Sequence, residues 1–186
     1  MIRALVGQAR NLKSVAGHNK NSKLRTQNLK VMNDYYKNLP QKRMGAGVLI
    51  FNEQDELLLL KPNYKDYWSI PGGTIDENES PRQCCLREIK EEIGLELSEI
   101  TFLCVDYKSA SEEKPESLQL IFYGGALNAG QIKKIKIQED EIDEFKFIAV
   151  NEALPLLNES LRKRIQSCFE SIKSNKAVYS ENGRKI

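Results

Sequence analysis

Apolar and polar positions change their rhythm at Met44. From there "MGAGVLIF", the polar "NEQDE" and then "LLLLKP" predict strand, turn, strand. "YWSIPGG" follows, and Pro71-Gly72-Gly73 is read as a loop that neither strand nor helix continues. A helix is predicted over 81–93. Ser80 stands as N-cap, Pro81 as first helical residue, Gln83 completes a capping box, and Gly94 fits the left-handed stop. Leu86, Ile89 and Ile93 form the stripe expected to pack on a sheet. "ITFLCVDY", "LQLIFYGGAL" and "EFKFIAV" predict three further strands, the first two parted by the charged "KSASEEKPES". "NEALPLL" and "ESLRKRIQSCFESIK" predict closing helices; Leu161, Ile165, Cys168, Phe169 and Ile172 give the second an apolar stripe for the core. Strands first, a central helix and terminal helices indicate one α/β (α+β) layered domain.

Charge divides the chain where hydropathy does. Residues 1–43 carry ten Lys/Arg and one acid, Asp34, for +9; residues 44–186 carry eighteen against twenty-five, for −7. The small overall net charge of +2 therefore hides an acidic main domain, and a nucleic-acid partner is not expected. Three domains are assigned: a basic extension 1–43, the layered domain 44–175 and a tail 176–186. Ile2, Leu5, Val6, Ala9 and Leu12 fall at helical spacing in the extension. It reads as a transit-like segment, a structural or dimerising arm, or an upstream extension with Met32 the true start; a homodimer stays open. The extension lacks the apolar core of a secretory signal. The densest apolar run, LLLL at 57–60, is far below the ~18 residues of a membrane span. A soluble, cytoplasmic protein without membrane partners is expected, organellar import being the minor alternative. Cys84, Cys85, Cys104 and Cys168 lack metal or redox spacing and read as buried thiols.

The chemistry concentrates on the predicted helix 81–93. Glu88 and Glu92 stand one turn apart, Glu91 is three from Glu88, and all three project from one side toward a common point. Like charges at this spacing cost a few tenths of a kcal/mol per pair, about what a favourable ion pair would add. Acids in the last turn also oppose the helix dipole. A hard divalent cation resolves both conflicts, because Mg²⁺ prefers carboxylate oxygens. Arg87 and Lys90 are the alternative partners, on an ordinary solvated face.

Gly73, five residues, Glu79, seven residues and then Arg87-Glu88-Ile89-Lys90-Glu91-Glu92-Ile93-Gly94-Leu95 resembles, at every defined position, the signature of the Nudix hydrolases. The likeness extends more loosely from Met44 to Phe169, and "LPQKRM" and "VYSENGR" resemble bacterial members. The resemblance implies an α/β/α sandwich with a mixed sheet between helices. It implies metal-dependent hydrolysis of a diphosphate in a nucleoside diphosphate linked to a moiety X, using Mg²⁺ or Mn²⁺. By position, Glu88, Glu91 and Glu92 would bind metal with the Gly73 carbonyl as a further ligand. Arg87, Glu79, Gly72 and Gly94 would hold the site in shape. The base would be Glu88, Glu92 or a loop acid, with Glu141 placed ahead of Glu139 and Asp140. Trp68, Lys61 and Tyr67, with Tyr64 and Lys65, are candidate contacts to a small nucleotide-type substrate. A triphosphate is favoured over a nucleotide sugar. The ADP-ribose marker, a proline some sixteen residues past the box, is missing: Ser111 stands there, and Pro115 is nearest. Two other readings compete: a non-catalytic nucleotide-sensing or protein-binding module, which would not need an intact box, and an isoprenyl diphosphate isomerase, which would need a catalytic cysteine.

Overall fold

A computed structural model of the chain describes residues 18–186. The helical spacing between Ile2 and Leu12 lies outside the described residues. Two units divide at Gln41/Lys42. In the first, α1 (His18–Lys37) is a helix that hydropathy did not signal, being polar through most of its length. It ends shortly before Pro40, whose ring disfavours a helical residue ahead of it.

The second unit is built on β1 (Arg43–Asn52), β2 (Leu57–Pro62), β3 (Gly72–Thr74), α2 (Pro81–Ile93), β4 (Thr101–Lys108), β5 (Ser117–Leu127), α3 (Ala129–Ile132), β6 (Ile142–Ile148), α4 (Val150–Ala153), a 3₁₀ turn (Leu154–Leu156), α5 (Glu159–Ser174), β7 (Val178–Glu181) and β8 (Arg184–Lys185). The strands make one mixed sheet in the order β6-β2-β1-β5-β4-β7-β8, with β3 beside β1. β1–β5 and β4–β7 are parallel; the other pairs are antiparallel. Side chains alternate across a strand, so LLLL at 57–60 serves two cores. Leu57 and Leu59 join one layer with Leu161, Ile165 and Cys168; Leu58 and Leu60 join the other with Cys85, Ile89 and Ile93. All four leucines are fully buried, each contributing roughly 1.5–3 kcal/mol. The sandwich expected from the sequence is present: a mixed sheet with a helical layer on each face.

Three expectations need correction. Pro71-Gly72-Gly73 is not simply a loop, because Gly72 and Gly73 enter β3 and pair with Gly47 and Ala46. The stripe of α2 runs through Cys85, Ile89 and Ile93 with Cys84 beside it, while Leu86 is only half-buried. Residues 176–186 are no free tail, since β7 extends the sheet along β4 and β8 turns back on β7. Asp106 of β4 anchors that hairpin. Its Oδ1 accepts from Ser180 Oγ and the Gly183 amide, both at 2.8 Å, and its Oδ2 accepts from Arg164 Nε at 3.1 Å.

An acidic cleft where two strands part

β1 and β2 pair only at Phe51 and Leu57, next to their turn. Beyond that they diverge, and β3 takes the place beside Gly45–Gly47. The gap becomes a cleft of about 390 Å³. Glu88 and Glu92 line it from α2, Gly72 and Gly73 from β3, Tyr64 and Lys65 from the β2–β3 loop, and Glu141 from the loop before β6.

Local sequence sets α2 with little freedom. The Ser80 hydroxyl accepts from the Gln83 amide, the Gln83 side chain accepts from the Ser80 amide, and Gly94 caps the end at φ 68°. The register is thereby fixed, and neighbouring glutamates take different directions. Glu92 points inward, is 8% exposed, and accepts from the Gly72 amide at 2.9 Å. Burial pushes its carboxyl up to about 8, and the charges of Glu88 and Glu141 push the same way. Burial also raises Glu88, against the lowering influence of Arg87.

Arg87 ties the helix to the loop before it. Its Nε and Nη2 grip both oxygens of Glu79 at 2.8 and 3.0 Å, and its Nη1 donates to Glu88 and Glu91 at 2.9 Å each. Nη2 also reaches the Thr74 carbonyl at 3.3 Å. The Arg87 guanidinium holds Glu79 far below the usual carboxylate range, at about 2. Arg87→Lys loses the fork that spans both Glu79 oxygens. It should lower stability by roughly 1–3 kcal/mol, measured by urea unfolding at pH 7.

Of the three glutamates expected at a common point, Glu88 and Glu92 line the cleft; Glu91 is half-exposed beside it and shares the Nη1 donor of Arg87 with Glu88. Among the described residues no three His, Cys, Asp or Glu side chains stand ready-grouped around one metal position. The donors still suit a hard cation: two desolvated carboxylates share the cleft with the carbonyl-bearing glycines of β3. The backbone at Gly73 runs so close to Glu88 that a Cβ there would lie 2.1 Å from Oε1.

Of the loop acids, Glu141 reaches the cleft, and its charge is felt by Glu88 and Glu92. Trp68, Lys61 and Tyr67 are not among the lining residues. Trp68 packs on the core beneath Lys146, and Lys61 Nζ folds back onto the Lys65 carbonyl. Tyr64 and Lys65 take those places, joined by Arg43 and Gln119, which sequence reading passed over. Gln119 had a signal: it is a polar residue inside the apolar strand run "LQLIFY". None of the four cysteines lines the cleft, and burial raises the Cys84 and Cys85 thiols to about 12.

A NUDIX domain profile matches residues 41–168. The chain belongs to the NUDIX family. Among curated NUDIX relatives, an RNA pyrophosphohydrolase of Hydrogenovibrio crunogenus is 43% identical over 61 residues, covering 33% of this chain and 37% of that protein. An 8-oxo-dGTP diphosphatase of Proteus vulgaris is 43% identical over 63 residues, covering 32% and 56%. The yeast mRNA-decapping enzyme subunit 2 aligns at 39% over 72 residues, covering 38% of this chain and 7% of that protein. The chain thus spans less than two thirds of the length of each of these relatives. Solved structures share the fold. A UDP-X diphosphatase superposes with TM-score 0.65 at 19% identity, over 96% of this chain and 82% of that one. The NUDIX domain of Shewanella oneidensis NrtR, complexed with ADP ribose, gives 0.60 at 20%, over 75% and 97%.

Proposed function

We propose that this NUDIX chain hydrolyses a diphosphate linkage in a nucleoside diphosphate bound to a moiety X, with Mg²⁺ or Mn²⁺ held by Glu88, Glu92 and the Gly73 carbonyl. The observation that carries the reading is the inward-turned, 8% exposed Glu92 beside Glu88 in a cleft of about 390 Å³, a volume suited to a nucleotide. The cation, when bound, would neutralise diphosphate charge and make a water more acidic. Arg87 keeps Glu88 in place by a hydrogen bond to one of its oxygens, Oε1. Glu91, on the same Arg87 nitrogen as Glu88, stands beside the site as the further carboxylate for the cation. Lys65 and Arg43 would meet phosphate oxygens, and Tyr64 offers a ring to a base. Glu141 would take the proton of the attacking water as its oxygen bonds to phosphorus. The bridging P–O bond then breaks, and the leaving phosphate keeps the electron pair.

A nucleoside triphosphate is favoured over a nucleotide sugar for X. Relatives named for RNA and for 8-oxo-dGTP put a 5′-triphosphorylated RNA on the same panel as the free nucleotides. The test is phosphate or pyrophosphate release from triphosphates, oxidised nucleotides, ADP-ribose, nucleotide sugars, dinucleotides and triphosphorylated RNA, with Mg²⁺, Mn²⁺ or a chelator. Metal-dependent release from one class is expected. Nucleotide binding without any turnover would instead make the chain a binding module.

A further inference from the structure

Glu141 reaches the cleft from a loop, and among the described residues its carboxylate makes no hydrogen bond that would aim it. The backbone around it must do so. At one end the loop is tied to the last turn of α2: the Lys136 amide donates to the Ile93 carbonyl at 3.0 Å and the Gln138 amide to the Glu92 carbonyl at 3.1 Å. At the other end the β2–β6 ladder meets Pro62, which has no N–H, and the register slips between Lys61 and Pro62. Asn63 restores the pairing with two donors on two successive carbonyls. Its amide donates to the Glu141 carbonyl at 2.9 Å, and its Nδ2 donates to the Asp140 carbonyl at 2.6 Å. The same residue begins the loop that brings Tyr64 and Lys65 to the opposite lip.

We propose that Asn63 is a positioning residue, whose side-chain amide clamps the 138–142 loop and so aims Glu141 at the reacting water; this rests on the hydrolase reading above. Loss of the clamp misplaces one acid and leaves the buried ligands alone. In the full chain, Asn63→Ala and the nearly isosteric Asn63→Asp, which lacks the donor, should each lower kcat about tenfold with little change in KM. In a Glu141→Gln background the same changes should cost less than about twofold, because the residue being aimed is gone. An equal cost in both backgrounds would show a general structural role and overturn the proposal, as would an unaffected kcat in Asn63→Ala. The clamp also has a readout without metal or substrate. Amide exchange of residues 138–142 in chelator should accelerate in Asn63→Ala, and unchanged exchange would overturn it. If wild-type protein turned over no nucleotide while exchange accelerated, the hydrolase reading would fail and the clamp would stand.

Discussion

Glu92→Gln should abolish turnover and at the same time stabilise the metal-free protein above neutral pH. The expected loss is on the order of 10³-fold, the scale of removing a charge or base from a reacting centre. Glutamine is nearly isosteric and keeps an oxygen for the Gly72 amide, so the fold has no reason to change. The stability effect follows from protonation. Folding raises the Glu92 pKa from 4.5 to about 8, so between these values the native state holds a proton that the unfolded chain has released. Stability of the wild type in chelator should therefore fall as pH rises from about 4.5 to 8, by on the order of 3–5 kcal/mol for this group alone. Glu92→Gln removes that slope. Thermal melts in chelator should nearly coincide for the two proteins at pH 5, and at pH 8 the variant should melt roughly 5 °C or more higher. A variant less stable than wild type at both pH values would show that the carboxylate is not strained by burial.

The two glycines of β3 should fail in different ways. Gly72 has φ 143°, and a Cβ there would lie 2.3 Å from the Ala46 carbonyl oxygen and 2.6 Å from the Gly47 Cα. Both obstacles are backbone in a paired strand, so Gly72→Ala strains a conformation that L residues avoid and pushes β1 and β3 apart. A cost of about 3 kcal/mol or more is expected, with little folded protein left for assay. The three atoms nearest a Cβ on Gly73 all belong to the carboxylate of Glu88, the closest at 2.1 Å. That side chain can swing away. Gly73→Ala should stay folded, within about 1 kcal/mol in urea titration, and lose activity roughly 10²-fold because Glu88 has left its position. Similar stability losses at both positions would contradict this division.

What was legible in the sequence was local. The limits of α2 follow from Ser80, Pro81, Gln83 and Gly94, all within a few residues of the turns they control. β1 and β2 were readable as continuous apolar runs because each strand packs a helical layer on both faces. That Glu92 is buried while Glu91 stays half-exposed was not readable, because adjacent helical positions differ by ~100° and only the sheet fixes which one faces it. β3 was missed because two glycines carry no strand signal; their pairing with Ala46 and Gly47 is a tertiary fact. The terminal hairpin was missed for a similar reason, since Ser180 meets Asp106 across 74 residues of chain. In the irregular loop after Pro62 no period tells inward from outward, so the sequence names Tyr64, Lys65, Tyr67 and Trp68 alike, and only Tyr64 and Lys65 line the cleft.

The most direct measurement is a Mn²⁺ titration of the substrate-free protein, following the free-ion paramagnetic resonance signal, on wild type, Glu88→Gln, Glu92→Gln and a Glu144→Gln control on the exposed end of β6. Wild type and control should bind Mn²⁺ alike, and each cleft variant should bind at least about tenfold more weakly. Equal binding by all four proteins would contradict a cation site at Glu88 and Glu92.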